Sequence, residues 1–141
     1  MGMLEVDAPG KVVVGGATDT IKIPNITAGV GLLFFDQAKK VGTGSVIVLP
    51  PVVQKIMKDM LGKMEEKGAT AGGISAKLAG GADFFQSAMG SRISQSVMDA
   101  CGQMGIKVSG KDLGGKEKRT LITVLASGET KVVSVSGEKK I

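Results

Sequence analysis

The sequence predicts an α+β fold: a layered domain of mixed or antiparallel β-sheets with two main helices packed on one side. Two observations point there. Short runs rich in Val and Ile recur between glycine pairs, which is strand punctuation. Two longer stretches carry apolar residues at three- and four-residue spacing, the period of a helix. Two helices cannot cover both faces of so many strands, so the sheets are expected to stack behind them.

In order, Lys11–Val14 is a β-branched run ended by Gly15-Gly16 and reads as a strand. Ala17–Asn25 reads as a loop, with Asp19, Pro24 and Asn25 as breakers. Thr27–Phe35 is continuously small or apolar, as suits a strand covered on both faces. Asp36–Lys40 is a polar turn and Val41–Leu49 a second apolar run, so the pair predicts a buried hairpin. Pro50-Pro51 opens a helix, because proline's missing N–H would be unpaired in a first turn. Val53, Ile56, Met57, Met60, Leu61 and Met64 form its apolar stripe, with Lys55, Lys58, Asp59 and Lys63 opposite. Gly68 is its expected C-terminal cap.

Ser75–Ala79 predicts a strand running into Gly80-Gly81. Gly90–Gly105 contains the second helix, with Ile93, Val97, Ala100, Cys101 and Met104 on one stripe. Ile106–Leu113, Thr120–Leu125 and Lys131–Val135 read as further strands. The whole of residues 1–141 is expected to form one domain, with 137–141 a frayed tail.

A formal net charge of +5 raises the question of a nucleic-acid or membrane partner. Trp and Tyr are absent and the four Phe fall in two adjacent pairs, Phe34-Phe35 and Phe84-Phe85, so no spread stacking platform exists for single strands. The basic residues are mostly scattered, so the charge is read as serving solubility. The apolar runs at Leu32–Phe35 and Val46–Leu49 are too short to span a bilayer, and the N-terminus carries no secretory pattern. The single cysteine excludes an internal disulfide and suits a reducing compartment. A cytoplasmic protein without membrane insertion is expected.

The chain contains no histidine, so Ser-His-Asp, Cys-His and HExxH chemistry is excluded. No phosphate loop or complete GxGxxG occurs, and neither a metal nor a cofactor is expected. Cys101 is the obvious nucleophile by type. Its place on an apolar stripe with Val97 and Met104 favours core packing, which leaves a thiol inert. The methionines Met57, Met60 and Met64 are read likewise as core filling rather than as an adaptable binding face.

Ala76–Phe85 reads AKLAGGADFF, Gly90-Ser91-Arg92 precedes the second helix, and Gly105-Ile106 opens the strand after it. These resemble, in order, the AKxxGGAxxF signature, the Gly-x-Arg before a helix and the GI strand of the CheD family. Asp112–Arg119 is similar to its D-x-GG-x-x-x-R segment. Upstream, Phe35-Asp36, Val41-Gly42 and Leu49-Pro50 fit the family's order, so the resemblance covers roughly residues 9–136.

The resemblance implies hydrolysis of the side-chain amide of chemoreceptor glutamines. In that family a cysteine in a GLGSC strand attacks, a histidine acts as base, and an upstream threonine orients the histidine. Counting back from Asp36 puts the cysteine position on Gly29, and counting back from Leu49-Pro50 puts the histidine position on Val46. The threonine position falls near Ile23, with Thr20 and Thr27 close by. The resemblance therefore implies a catalytically silent relative that binds chemoreceptor cytoplasmic helices or a CheC-type phosphatase, with Phe84, Phe85, Gly80 and Gly81 at the partner surface. Two alternatives remain open. One is a deamidase with altered catalytic residues, using Cys101, Thr27 or Ser45. The other is an anion- or nucleotide-binding module built on Gly114-Gly115-Lys116 and Arg119.

Overall fold

In the computed structural model, which describes residues 2–83 and 88–141, the strand Val30–Asp36 is buried along its whole length. Its side chains alternate, as a pleated strand requires. Val30, Leu32 and Phe34 join one apolar cluster, and Leu33 and Phe35 join the other. That double burial dictates the layers.

Ten strands and two helices are described, in the order β1 (Gly2–Glu5), β2 (Val13–Gly15), β3 (Asp19–Ile26), β4 (Val30–Asp36), β5 (Val41–Ile47), α1 (Val53–Glu66), β6 (Ile74–Gly80), α2 (Met89–Gln103), β7 (Lys107–Leu113), β8 (Arg119–Val124), β9 (Glu129–Ser134) and β10 (Gly137–Lys140). One sheet runs β1-β3-β8-β9-β10 and the other β2-β5-β4-β6-β7. The pairs β1–β3 and β6–β7 are parallel; the remaining pairs are antiparallel. Both helices pack on one face of the second sheet. The first sheet covers its other face through Ile21, Ile23, Ile26, Leu121 and Val132. The expected α+β layering is therefore the one observed.

The helices follow their sequence patterns. Helix α1 buries Val53, Ile56, Met57, Met60 and Met64, and α2 buries Ile93, Val97, Ala100 and Cys101. A short 3-10 helix, Pro50–Val52, leads into α1. Gly68, at φ +93°, ends the turn after it, where Ala69 N–H donates to the Met64 carbonyl.

The two sheets approach closely because β5 presents glycine to the space between them. Leu125 Cδ2 fills the place of a Cβ on Gly42, and Ile21 Cγ2 lies 2.9 Å from the place of one on Gly44. The opposite face of β5, carrying Val41, Thr43, Ser45 and Ile47, lies under the helices.

Four elements differ from expectation. Residues 17–25, read as a loop, mostly belong to β3, whose Ile21, Ile23 and Ile26 are buried. Pro24 and Asn25 are tolerated because the pairing of β3 with β8 slips register between Ile23 and Ile26. Strand β4 begins at Val30 rather than at Thr27, and residues 27–29 form a bend instead. Gly2–Glu5 forms β1, paired with β3. The end read as a frayed tail, 137–141, supplies β10, paired with β9 over Gly137–Lys140. Ile141 N–H donates to the Thr130 carbonyl.

Candidate functional site

The chain crosses from the first sheet to the second twice at one end of the sandwich. The strap between β1 and β2 is the first crossing and the bend 27–29 between β3 and β4 is the second. A cleft of about 290 Å³ opens between them. Gly29, Val46 and Val48 line it from the second sheet, Pro24, Asn25 and Thr27 from one side, and Glu5 to Pro9 from the other.

The strap is tied at both ends. Val6 is buried, and its N–H donates to the Lys22 carbonyl at 2.9 Å on the first sheet. Gly10 N–H donates to the Val46 carbonyl at 2.9 Å on the second. Between these anchors Asp7, Ala8 and Pro9 are exposed. Lys11 Nζ, 3.0 Å from Asp7, donates a hydrogen bond that holds the Asp7 carboxyl below its usual range.

The hairpin register brings Gly29 and Val46 together. Val30 pairs with Ile47 and Gly31 with Val46, so the bend before Val30 lies beside Val46 and Val48. A Cβ on Gly29 would lie 3.5 Å from Val46 Cγ2, 3.0 Å from Val48 Cγ1 and 2.9 Å from the Ile47 carbonyl oxygen. The floor of the cleft is thus backbone and hydrocarbon.

Two glycine turns and a buried arginine hold this floor from behind. Gly81 N–H donates to the Gly29 carbonyl at 2.8 Å, and Ala82 N–H to the Thr27 carbonyl at 3.2 Å. Gly80, at φ +117°, sits where a side chain would meet the Gly29 carbonyl and Ile26. The Gly80 carbonyl accepts from Gly114 N–H at 2.9 Å and from Arg119 Nη1 at 2.6 Å. Arg119 is 6% exposed; its Nη2 donates to the Gly114 carbonyl and its Nε pairs with Asp112 at 3.2 Å. The AKxxGGA and D-x-GG-x-x-x-R motifs therefore form one joint behind Gly29.

The remaining sequence candidates separate. Gly80 and Gly81, expected at a partner surface, are buried and act as backbone joints. Phe84 and Phe85 lie outside the described residues. Cys101 is 1% exposed in the core beneath α2, and burial pushes its thiol up to about 11. Ser45 is fully buried on the helix side of β5, away from the cleft, and its Oγ has no hydrogen-bond partner among the described residues. Of the three alternative nucleophiles only Thr27 lines the cleft. The anion reading loses its main cation, because all three Arg119 nitrogens are engaged with Gly80, Gly114 and Asp112. Sequence reasoning missed the strap as a wall of the cleft. Its residues carry no motif, and only the chain crossing brings them there.

The model of the family described as CheD chemotactic sensory transduction matches residues 53–134, from the start of α1 to the end of β9. The chain belongs to the CheD family. A Desulforamulus reducens protein named probable chemoreceptor glutamine deamidase CheD is 30% identical over 131 aligned positions, covering 79% of this chain and 79% of that protein. A Clostridium novyi protein of the same name is 30% identical over 125 positions, covering 75% and 77%. A Clostridium botulinum protein of that name is 28% identical over 148 positions, covering 91% of each chain. Among the described residues of this CheD-family chain, no helix is long and apolar enough to cross a membrane.

Proposed function

We propose that this CheD-family chain has lost amide hydrolysis and acts in chemotactic signalling as a binding module. Its partner in this reading is a chemoreceptor cytoplasmic segment or a CheC-type phosphatase. The observation that carries the reading is the adjacency of Gly29 and Val46 in the cleft between the sheets. These are the positions that the family's motif order assigns to its cysteine and histidine. A thiol–imidazole pair at that spot would act as one unit, and without it only the modest rate advantage of binding remains. The positive φ of Asn25, +55°, supports the alignment, because counting back from Gly29 puts Asn25 on the first glycine of GLGSC.

The crowding around Gly29 points the same way. The Ile47 carbonyl, 2.9 Å from where a Cβ would stand, occupies space that a cysteine would need. No histidine exists anywhere in the chain to activate Thr27, an exposed residue at the cleft wall.

The test is incubation of chemoreceptor cytoplasmic fragments with the protein, followed by mass spectrometry of their glutamines and titration calorimetry. Binding with unchanged glutamines is the expected outcome. Conversion to glutamate, abolished by Thr27→Val, would establish a deamidase of altered mechanism instead.

A further inference from the structure

The joint behind Gly29 is walled from water by β10. A cavity of about 280 Å³ lies where the edges of the two sheets meet. Arg119 and Val132, both buried, line it from within the sandwich, beside Asp112. Gly137, Glu138 and Lys139 of β10 form one of its walls. Arg119 is the cation that holds the Gly80 and Gly114 carbonyls, and Gly81 in turn holds the Gly29 carbonyl. If β10 left β9, this group of bonds would be open to solvent.

Strand β10 is held lightly. It sits at a sheet edge and all four of its residues are exposed. Within 137–141 the only apolar side chain is Ile141, which packs against the cluster between the sheets. Its backbone lies across Gly110, with the Ile141 carbonyl carbon 2.8 Å from where a Cβ on Gly110 would stand. There Ile141 N–H donates to the Thr130 carbonyl of β9 at 3.1 Å, and its carbonyl accepts from Lys77 Nζ of β6. Ile141 thus bridges the two sheets. The other anchor is Lys139, whose Nζ lies 2.7 Å from one Asp112 oxygen while the second oxygen faces Arg119 Nε at 3.2 Å. Segments with so little buried apolar surface open locally while the rest of the protein stays folded.

We infer that β10 is a latch on the Gly29 bend, closed by Ile141 over Gly110 and by Lys139 on Asp112, and that its opening loosens the floor of the cleft on the far side of the joint. The coupling is dielectric. With the latch closed, Arg119 bonds its carbonyls in a dry setting, where such bonds are strong; water entering beside it weakens them. The input is electrostatic, because the Lys139 side chain is 60% exposed and salt can screen it from Asp112. The inference stands whether the cleft binds its partner only or also hydrolyses it.

The test is native-state hydrogen exchange of the full chain, followed residue by residue by NMR at low and high salt. The variants are Lys139→Gln and Ile141→Ser. Lys140→Gln is the control, since Lys140 pairs with Glu129 and not with Asp112. The reporters are the Ile141 amide for the latch, the Gly81 and Gly114 amides for the joint, and the buried turns of α1 for the whole fold. Lys139→Gln is expected to speed exchange at Ile141, Gly81 and Gly114 together by about fivefold, the upper scale for a partly exposed ion pair, and to leave α1 unchanged. Ile141→Ser is expected to do the same. Salt should speed the same three amides in the unaltered chain and much less in Lys139→Gln. Faster exchange at Ile141 with Gly81 and Gly114 unmoved would reduce β10 to a fraying edge and overturn the inference. So would a uniform rise that includes α1, an equal effect of Lys140→Gln, or no change in any variant.

Discussion

Arg119 Nη1 donates to the carbonyl oxygen of Gly80 at 2.6 Å, and the next residue, Gly81, donates to the carbonyl of Gly29 at 2.8 Å. The candidate site is thus held by a buried cation two steps away from it. A buried guanidinium costs free energy to desolvate, and its partners compensate only if all remain.

Removing the cation should therefore be severe. Arg119→Ala leaves the Gly80 and Gly114 carbonyls short of a donor and Asp112 without its buried partner. The expected loss is about 3–5 kcal/mol of unfolding free energy. Arg119→Lys is expected to recover little of it, since an ammonium cannot present the planar fork. Urea denaturation of the variants measures both.

The glycine at the cleft floor is under steric rather than conformational demand. Gly29→Ala places a Cβ against the Ile47 carbonyl and Val48 Cγ1. It should cost about 1–3 kcal/mol as overpacking. Gly62→Ala is the control: it lies within α1 with open space around it, and should stabilise by about 0.5–1 kcal/mol. Paired melts that gave both changes the same sign would contradict the crowding.

Ser45 carries a buried hydroxyl with no partner among the described residues. Deleting an unsatisfied polar group removes a desolvation penalty of about 1–3 kcal/mol, offset in part by the small void left behind. Ser45→Ala should be neutral or stabilising. A marked loss of stability in denaturant would mean that the hydroxyl is satisfied in solution.

The Cys101 thiol sets a pH dependence. Its folded value of about 11 lies above the ordinary 9.0, so between these pH values the folded protein retains a proton that the unfolded chain releases. Stability should fall as pH rises from 9 toward 11, and the fall should be shallower in Cys101→Ala. At neutral pH a thiol reagent should label Cys101 only on unfolding.

The sequence made some of this structure legible and hid the rest for identifiable reasons. Helix α1 was readable because its stripe, its leading prolines and Gly68 all agree. The β4–β5 hairpin was readable because both strands are apolar over their length, and it carries the Gly29–Val46 adjacency with it. Strand β3 was hidden by Asp19, Pro24 and Asn25, which look like breakers yet fall at its first residue and its register slip. Strands β1 and β10 sit at sheet edges; β10 is exposed throughout and held by backbone pairing, and β1 offers only Leu4 to the core, so neither carries an apolar pattern long enough to read. The strap that walls the cleft was hidden because its position depends on which sheet each flanking strand joins.

The glycines of β5 make the seam between the sheets one-sided. The bulk there comes from Ile21 and Leu125, which insert toward Gly44 and Gly42. In a scan of all single substitutions, Ile21 and Leu125 should accept smaller residues at the cost of a cavity, whereas Gly42 and Gly44 should accept nothing larger. Along β5, though not along β4 with its Leu33 and Phe35, evolutionary drift is thereby confined to one wall.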